Sequence, residues 1–159
     1  MRILSIDPGY DRLGIAILEG NPSKPLVVWS DCIQPKKGVA EQRLAEVSRA
    51  VERAITLHKP DALALESLFF STNVKTALKV AEARGAVLSQ AGLYGLPVIE
   101  CSPQQVKIAV TGHGGSDKKA IGRMVPKLVE LSDRKRLDDE LDAIAVGIAA
   151  LAIGLPKGM

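Results

Sequence analysis

Four acidic residues stand at positions from which their side chains could act together on one substrate. Asp7 ends the mainly apolar segment 2–6, just before a Pro-Gly pair, and Glu66 ends another apolar run. Asp139 and Asp142 are three residues apart near the start of a predicted helix, so their side chains are about 60° apart around its axis and share a face. If the two apolar segments are neighbouring strands and the helix crosses their ends, all four carboxylates converge.

Electrostatics indicates what such a group of acids would be for. Two unit charges about 4 Å apart repel by roughly 4 kcal/mol at an effective dielectric constant of about 20. Four ionised carboxylates therefore require either raised pKa values or bound cations. Carboxylate oxygens suit hard cations such as Mg²⁺ or Mn²⁺, and two of these ions would neutralise the group. Paired metal ions activate water and stabilise the leaving oxygen in phosphodiester cleavage. No pair of Cys or His residues has the spacing of zinc ligands.

Each acidic residue also has an ordinary structural interpretation. Asp7 could be a turn residue, and Asp138 and Asp139 could stabilise the start of a helix. We assign this capping role to Asp138. Glu66 and Asp142 are harder to explain in this way, because Glu66 ends a predicted buried strand and Asp142 lies a turn inside the helix. Asp138 and Asp142 also share a helix face, so spacing alone leaves open which residue is the fourth ligand.

The predicted elements can position these residues. Three strand-like segments with strong turn signals between them come first, at 2–7, 13–18 and 26–33, and favour an antiparallel meander. Helices then alternate with two further apolar strands, 61–66 and 97–100, and three helices close the chain. The order βββ-α-β-α-β-α-α-α predicts an α/β fold: a mixed sheet, made of a three-strand meander plus two further strands, with helices on both faces.

The last two predicted helices matter most for the site. They span 117–131 and 138–153, and the second of them carries the acidic pair. Pro126 is expected to kink the first helix or cost it a hydrogen bond. Segment 131–137, between the two helices, carries no motif.

Length and composition bound the fold class. At 159 residues, 47% hydrophobic and 25% charged, the chain is typical of one globular domain spanning 1–159. Cys32 and Cys101 are far apart in the sequence, which is typical of reduced thiols in a cytosolic protein, and one long-range bridge between them is the alternative. The uncharged stretch 143–156 is shorter than the roughly 20 residues that cross a bilayer, and no targeting segment is visible. We therefore expect a cytoplasmic protein that does not enter a membrane.

Positive charge is concentrated in one part of the chain. Residues 102–136 contain eight Lys or Arg against three Asp or Glu, although the whole chain has a net charge of only +3. Such a region favours a polyanionic partner, although a charge-rich stretch can also be a solvated face. The candidates for contact with a phosphate backbone are Lys107, Lys118, Lys119 and Arg123.

Phe69 and Phe70 are further candidates for nucleic-acid binding. They are two of only five aromatic residues, and they follow Glu66 closely. One ring could pack in the core while the other stacks on a base, an interaction worth about 1–3 kcal/mol. The alternative is that both rings pack in the core.

Together these motifs resemble the RuvC family of Holliday-junction resolvases. The matching segments are R-I-L-S-I-D-P-G at 2–9, the strand ending in Glu66 with Phe69 after it, A-R-G at 83–85 and D-x-x-D-A at 139–143. The resemblance covers nearly the whole chain, from Met1 to about Ile153. It implies a ribonuclease-H-like fold, a homodimer and Mg²⁺-dependent nicking of four-way DNA junctions, with Mn²⁺ able to substitute. It also implies a partnership with a RuvA–RuvB branch-migration complex.

The resemblance implies roles for individual residues as well. The implied catalytic ligands, holding two Mg²⁺ per subunit, are Asp7, Glu66, Asp139 and Asp142. Phe69 matches an aromatic residue that stacks into the opened centre of the junction. Lys107 and Lys118 match basic residues near the scissile phosphate. The choice of Asp139 over Asp138 as the fourth ligand rests on this resemblance.

Three other functions are compatible with parts of the sequence. Asp7-Pro8-Gly9 with R-L-G-I-A at 12–16 also resembles ribonuclease-H-like nucleases that process pre-ribosomal RNA, so structured RNA is the alternative substrate. An actin-like phosphotransferase also opens on a strand with Asp-x-Gly, but it needs a second domain, and the chain has no G-x-x-x-x-G-K-[ST] motif. A non-catalytic junction-binding module is disfavoured, because clustered acids repel DNA phosphates unless metal ions bridge them.

Overall fold

The computed structural model describes residues 1–67 and 74–155. Within these residues, strands and helices follow the order predicted from the sequence. The elements are β1 (Arg2–Asp7), β2 (Leu13–Asn21), β3 (Lys24–Ile33), α1 (Ala40–His58), β4 (Ala62–Glu66), α2 (Val74–Leu93), β5 (Val98–Cys101), α3 (Pro103–Thr111), α4 (Lys118–Leu128) and α5 (Asp138–Ile153).

The five strands form one mixed sheet in the order β3-β2-β1-β4-β5. β1 pairs antiparallel with β2, and β2 with β3, which gives the predicted meander. β4 lies parallel to β1 on the other side, with Ile6 opposite Leu65, and β5 lies parallel to β4. The predicted α/β class and the mixed sheet are confirmed. Because β1 and β4 run in the same direction, the residues that end them, Asp7 and Glu66, lie at the same edge of the sheet.

Alternating side chains place these two acids on the same face of the sheet. In β1, Ile3 packs in the apolar core under α3, α4 and α5. Leu4 and Ile6 pack in a second core, under α1 and α2, on the opposite face. Successive side chains in a strand point to opposite faces, so Asp7 shares the face of Ile3. The same alternation in β4 puts Glu66 on that face too, towards α5.

Helix α5 lies across the centre of the sheet and supplies much of the core on its face. Its residues from Ala143 to Leu151 are all buried. Although this stretch is apolar, no helix in the described parts of the chain has both the length and the hydropathy needed to cross a membrane. Its apolar character instead serves burial between the sheet and the neighbouring helices.

Some details differ from the sequence-based expectations. β2 and β3 are longer than predicted, because Asn21 Oδ1 accepts hydrogen bonds from the backbone of Ser23 and Lys24, both at 3.1 Å, and closes a tight turn. α4 includes Pro126 but ends at Leu128. The prediction that the Asp138 side chain caps α5 is wrong, although Asp138 does lie in the first turn, where an acid complements the helix dipole. The N-cap is Leu137, which has no side chain able to cap, and Asp138 is the first helical residue.

Two glycines allow α5 to approach the sheet closely. A Cβ atom on Gly14 in β2 would overlap the backbone oxygen of Asp139. A Cβ atom on Gly147 in α5 would lie 2.7 Å from Ser5 Oγ in β1 and would also overlap the side chain of Leu18. These positions therefore set the distance between α5 and the strands. That distance decides how near the acids of α5 come to the end of β1.

Gly14→Ala is expected to lower the free energy of unfolding by about 1–3 kcal/mol, the usual cost of forcing atoms into a filled space. Urea denaturation measures this change. Gly92→Ala in α2 is the matched control, because its Cβ would meet nothing within 4 Å. The control should be neutral or slightly stabilising, since Ala favours a helix over Gly. A Gly14→Ala protein as stable as wild type would show that the contact is not tight.

Candidate active site

Asp7, Glu66 and Asp142 line a single pocket of about 210 Å³ where β1 and β4 end beneath α5. The parallel pairing of β1 with β4 brings the first two together, and the close packing of α5 brings the third. The remaining wall is apolar apart from two lysines and consists of Val106, Ile121, Ala145, Val146, Lys107 and Lys118. Three of the four predicted acids therefore converge in space.

Burial and the charges of neighbouring acids raise the pKa values of these three acids. Burial, followed by the charges of Asp142 and Glu66, raises the pKa of Asp7 from 3.8 to about 7. Burial and then Asp142 raise the pKa of Glu66. Burial, with the charges of Asp139 and Asp138, also raises the pKa of Asp142 against the opposite effect of Lys118. Positive charge that enters the pocket would therefore favour the ionised form of all three acids.

Lys118 provides positive charge in the pocket. Its Nζ lies 2.7 Å from a carboxylate oxygen of Asp142, and this hydrogen bond is the main reason that the pKa of Lys118 is raised. The position of Lys118 is fixed by the start of α4, where Asp117 Oδ1 accepts a hydrogen bond from the Ala120 amide at 2.7 Å. Its charge also lowers the pKa of Asp7.

Lys107 approaches the same pocket from α3. A capping box at Ser102 fixes the start of that helix: Ser102 Oγ accepts from the Gln105 amide at 3.1 Å, and Gln105 Oε1 accepts from the Ser102 amide at 2.7 Å. The charge of Lys107 lowers the pKa of Glu66. Both lysines predicted to lie near the reacting phosphate are thus in the wall of the acidic pocket.

Asp139 lies beside the pocket rather than in its wall. Its Oδ2 is 3.5 Å from the guanidinium of Arg12, in the turn between β1 and β2. Its charge nevertheless raises the pKa of Asp7 and of Asp142. Asp138 lines an adjoining cavity. Of the two candidates for the fourth ligand, Asp139 is thus the one whose charge reaches Asp7.

The adjoining cavity, of about 510 Å³, extends the site along α4. It shares Lys118 and Asp142 with the pocket and is also lined by the predicted DNA contacts Lys119 and Arg123. These basic side chains therefore extend along α4 from the acidic pocket, in a cavity that Asp138 and Asp142 also line. The other predicted DNA contacts, Phe69 and Phe70, lie outside the described residues.

The chemistry of the pocket fits a hard divalent cation. Its acidic side chains are all carboxylates, which are the ligands of Mg²⁺ and Mn²⁺, and burial and neighbouring negative charge raise their pKa values. In the arrangement seen within residues 1–67 and 74–155, no three His, Cys, Asp or Glu side chains are close enough to hold one ion. The pocket therefore fits a divalent cation by its charge and by the type of its ligand atoms. The Lys118 ammonium is the positive group beside Asp142.

Sequence reasoning missed two parts of the site. Nothing in the sequence indicates that Arg12 pairs with Asp139, because the residues are far apart in the chain and meet only when α5 packs on β2. The apolar wall from α3 and α4 was also missed. Val106 and Ile121 look like ordinary core positions of amphipathic helices, yet they contribute to the burial that raises the pKa of Asp7.

Comparison with known proteins decides the family. The family model described as crossover junction endodeoxyribonuclease RuvC matches residues 3–150. The crossover junction endodeoxyribonuclease RuvC of Thermosipho melanesiensis is 42% identical over 147 residues, covering 92% of this chain and 94% of the relative. The chain belongs to the RuvC family. Nucleases of this family are metal-dependent.

Solved structures agree with this membership. The RuvC structure of Thermus thermophilus superposes on this RuvC-family chain with a TM-score of 0.83 and 31% identity, covering 94% of this chain and 92% of that one. Thermus thermophilus RuvC in complex with a Holliday junction substrate gives a TM-score of 0.87 and 30% identity, with the same coverage. The expected ribonuclease-H-like fold is thereby confirmed.

Asp7→Asn tests the cost of ionising this carboxyl in the metal-free pocket. Because the pKa of Asp7 in the folded chain is about 7 and its ordinary value is 3.8, the folded chain keeps a proton there that the unfolded chain loses between those values. Wild-type stability should therefore fall as pH rises through this window. In chelator, we expect the variant to melt a few degrees above wild type at pH 8 and together with it at pH 4.

The control for this comparison is Asp133→Asn, which removes an exposed carboxyl away from the pocket. It should melt like wild type at both pH values. If Asp7→Asn gave no gain at pH 8, burial and the neighbouring carboxylates would not raise the pKa of Asp7 in the folded chain.

Proposed function

We propose that this RuvC-family chain hydrolyses phosphodiester bonds in four-way DNA junctions, with divalent cations held by Asp7, Glu66 and Asp142. The observation that carries this proposal is the convergence of these acids, with two lysines, in one pocket of a chain that belongs to the family. Bound Mg²⁺, two ions per subunit, would supply an activated water and stabilise charge on the departing oxygen. Mn²⁺ has the same ligand preference and would substitute.

The carboxylates act as ligands, and their number sets the charge of the site. Asp7, Glu66 and Asp142 carry three negative charges when ionised, and Asp139 beside them adds a fourth. If Arg12 pairs with a DNA phosphate instead of with Asp139, the Asp139 carboxylate becomes available as a metal ligand. Arg12 is half-exposed, so a phosphate approaching the site can reach it.

The lysines hold the substrate. Lys118 is largely exposed although it pairs with Asp142, so its ammonium can contact a phosphate at the mouth of the pocket. Lys107 reaches the pocket from the neighbouring helix. Lys119 and Arg123 continue the positive surface along α4 and would contact backbone phosphates further from the reacting bond. Such contacts give affinity without reading the base sequence.

Three finer features of the proposal come from the resemblance. One ring of Phe69 or Phe70 stacks on a base at the centre of the junction. A homodimer places one pocket on each of two opposed strands, since a two-fold pair of subunits matches the symmetry of a four-way junction. The protein works in the cytoplasm beside a RuvA–RuvB branch-migration complex.

Cleavage of an immobile four-way DNA junction tests the proposal. Wild type should make symmetric nicks that require Mg²⁺ or Mn²⁺ and stop in chelator. Asp7→Asn should slow cleavage by at least about 100-fold, because it removes a ligand. Junction binding in chelator should persist or tighten, since the variant removes a negative charge that faces the phosphates.

Asp133→Asn is again the matched control and should cleave at the wild-type rate. Full activity of Asp7→Asn would remove this residue from the site. Cleavage of a structured RNA in preference to the junction would replace the proposed substrate with the alternative one.

A further inference from the structure

Glu140 is a buried carboxylate directly after Asp139, and it does not line the acidic pocket. Its side chain is only 2% exposed. Ser30 Oγ in β3 donates to Glu140 Oε1 at 2.6 Å. Arg134 donates to both carboxylate oxygens, to Oε2 at 3.1 Å and also to Oε1, and donates to the Ser30 carbonyl at 2.8 Å. This set of bonds connects the first turn of α5 with strand β3.

A second arginine pairs with the same carboxylate. Arg136 Nε lies 3.3 Å from Glu140 Oε1 as an ion pair without hydrogen-bond geometry. The Arg136 guanidinium also donates to the carbonyl and the hydroxyl of Ser132, at 2.8 and 2.9 Å. Segment 131–137, which matches no sequence motif, thus forms a loop that directs two arginines at Glu140. We call these contacts among Glu140, Arg134, Arg136 and Ser30 the Glu140 clamp.

Stability alone does not account for the Glu140 clamp. Removing a carboxylate from water is costly, and an apolar side chain of similar size often stabilises a fold as well as a buried ion pair does. What the two-pronged Arg134–carboxylate contact adds is a defined direction, because it fixes both the distance and the orientation of its partners.

The start of α5 has no side-chain cap. The helices that carry the two pocket lysines begin at side-chain caps, Ser102 for α3 and Asp117 for α4. The N-cap of α5 is Leu137, which makes no side-chain hydrogen bond. The Glu140 clamp therefore does for α5 what a capping residue does for the other two helices.

We propose that Glu140 is a positioning residue that, through Arg134 and Ser30, sets the rotation of α5 about its axis and so the places of Asp139 and Asp142. This inference rests on the proposed function of those two acids. Glu140 is about 160° around the helix from Asp142, so the clamp secures the side of the helix that faces away from the pocket.

A small rotation would have a large effect. A helix with its side chains is about 10–12 Å across, so turning it by about 10° moves a carboxylate by about 1 Å. A misplacement of about 1 Å in a reacting group can cost roughly 100-fold in rate. Residues that orient metal ligands from outside the ligand set typically contribute 10–100-fold in metal affinity or activity.

Glu140→Gln tests this role, because the amide keeps the size of the side chain but turns a donor towards two arginines. We expect the Mn²⁺ dissociation constant measured by calorimetry, and the Mg²⁺ concentration at half-maximal junction cleavage, to rise about 10-fold. Junction affinity in chelator should stay within about twofold of wild type, because the clamp does not face the DNA-binding side chains. Arg134→Lys should shift both metal measurements in the same direction, since Lys lacks the two-pronged geometry.

Two controls separate positioning from stability. Glu130→Gln changes an exposed carboxyl beside the same loop and should leave all measurements unchanged. Ile148→Val weakens the core on α5 without touching the clamp, so it should lower the melting temperature but leave the Mn²⁺ dissociation constant unchanged. A Glu140→Gln protein that loses only melting temperature, with wild-type metal affinity, would overturn the proposal.

The outcomes distinguish a failure of the proposed function from a failure of the role of Glu140. If wild type itself neither binds Mn²⁺ nor cleaves junctions, the proposed function fails. If wild type does both and the clamp variants match it, only the role of Glu140 fails. Should Glu140→Gln not fold, Arg134→Lys and Ser30→Ala decide, and wild-type metal affinity in both would overturn the proposal.

Discussion

Carboxylates that face one another across a pocket with apolar walls repel, and the rest of the structure works against this repulsion. Burial and the charges of Asp142 and Glu66 keep the pKa of Asp7 near 7, far above 3.8. A free chain would separate these groups. Here parallel pairing of β1 with β4 holds two of them side by side, and the packing of α5 on the sheet holds the third. The same arrangement leaves the pocket short of positive charge, which makes it suited to cations.

Close packing and fixed helix starts convert this arrangement into a defined geometry. Gly14 and Gly147 let α5 lie close against the strands. Caps at Ser102 and Asp117 fix the helices that deliver Lys107 and Lys118. Core packing alone leaves a helix able to turn or slide slightly. Polar contacts at the helix ends then fix its position and rotation.

Much of the fold and half of the site could be predicted from the sequence. The element order, the meander and the place of Asp7 and Glu66 followed from periodicity, because alternation in a strand and parallel pairing are local or pairwise rules. Asp142 stood out because a capping role could not explain it. The partner of Asp139 was not predictable, since Arg12 meets it only through packing between distant segments. Sequence analysis did not single out Glu140, and only the folded structure shows that it is buried.

Diffraction from crystals grown with Mn²⁺ at pH 8, recorded at the manganese absorption edge, tests the central claim most directly. The account predicts anomalous density in the acidic pocket, within coordination distance of the Asp7, Glu66 and Asp142 carboxylates, with the Lys118 ammonium moved away from Asp142. Saturating Mn²⁺ with no anomalous density in the pocket, or with the three carboxylates directed apart, would contradict it.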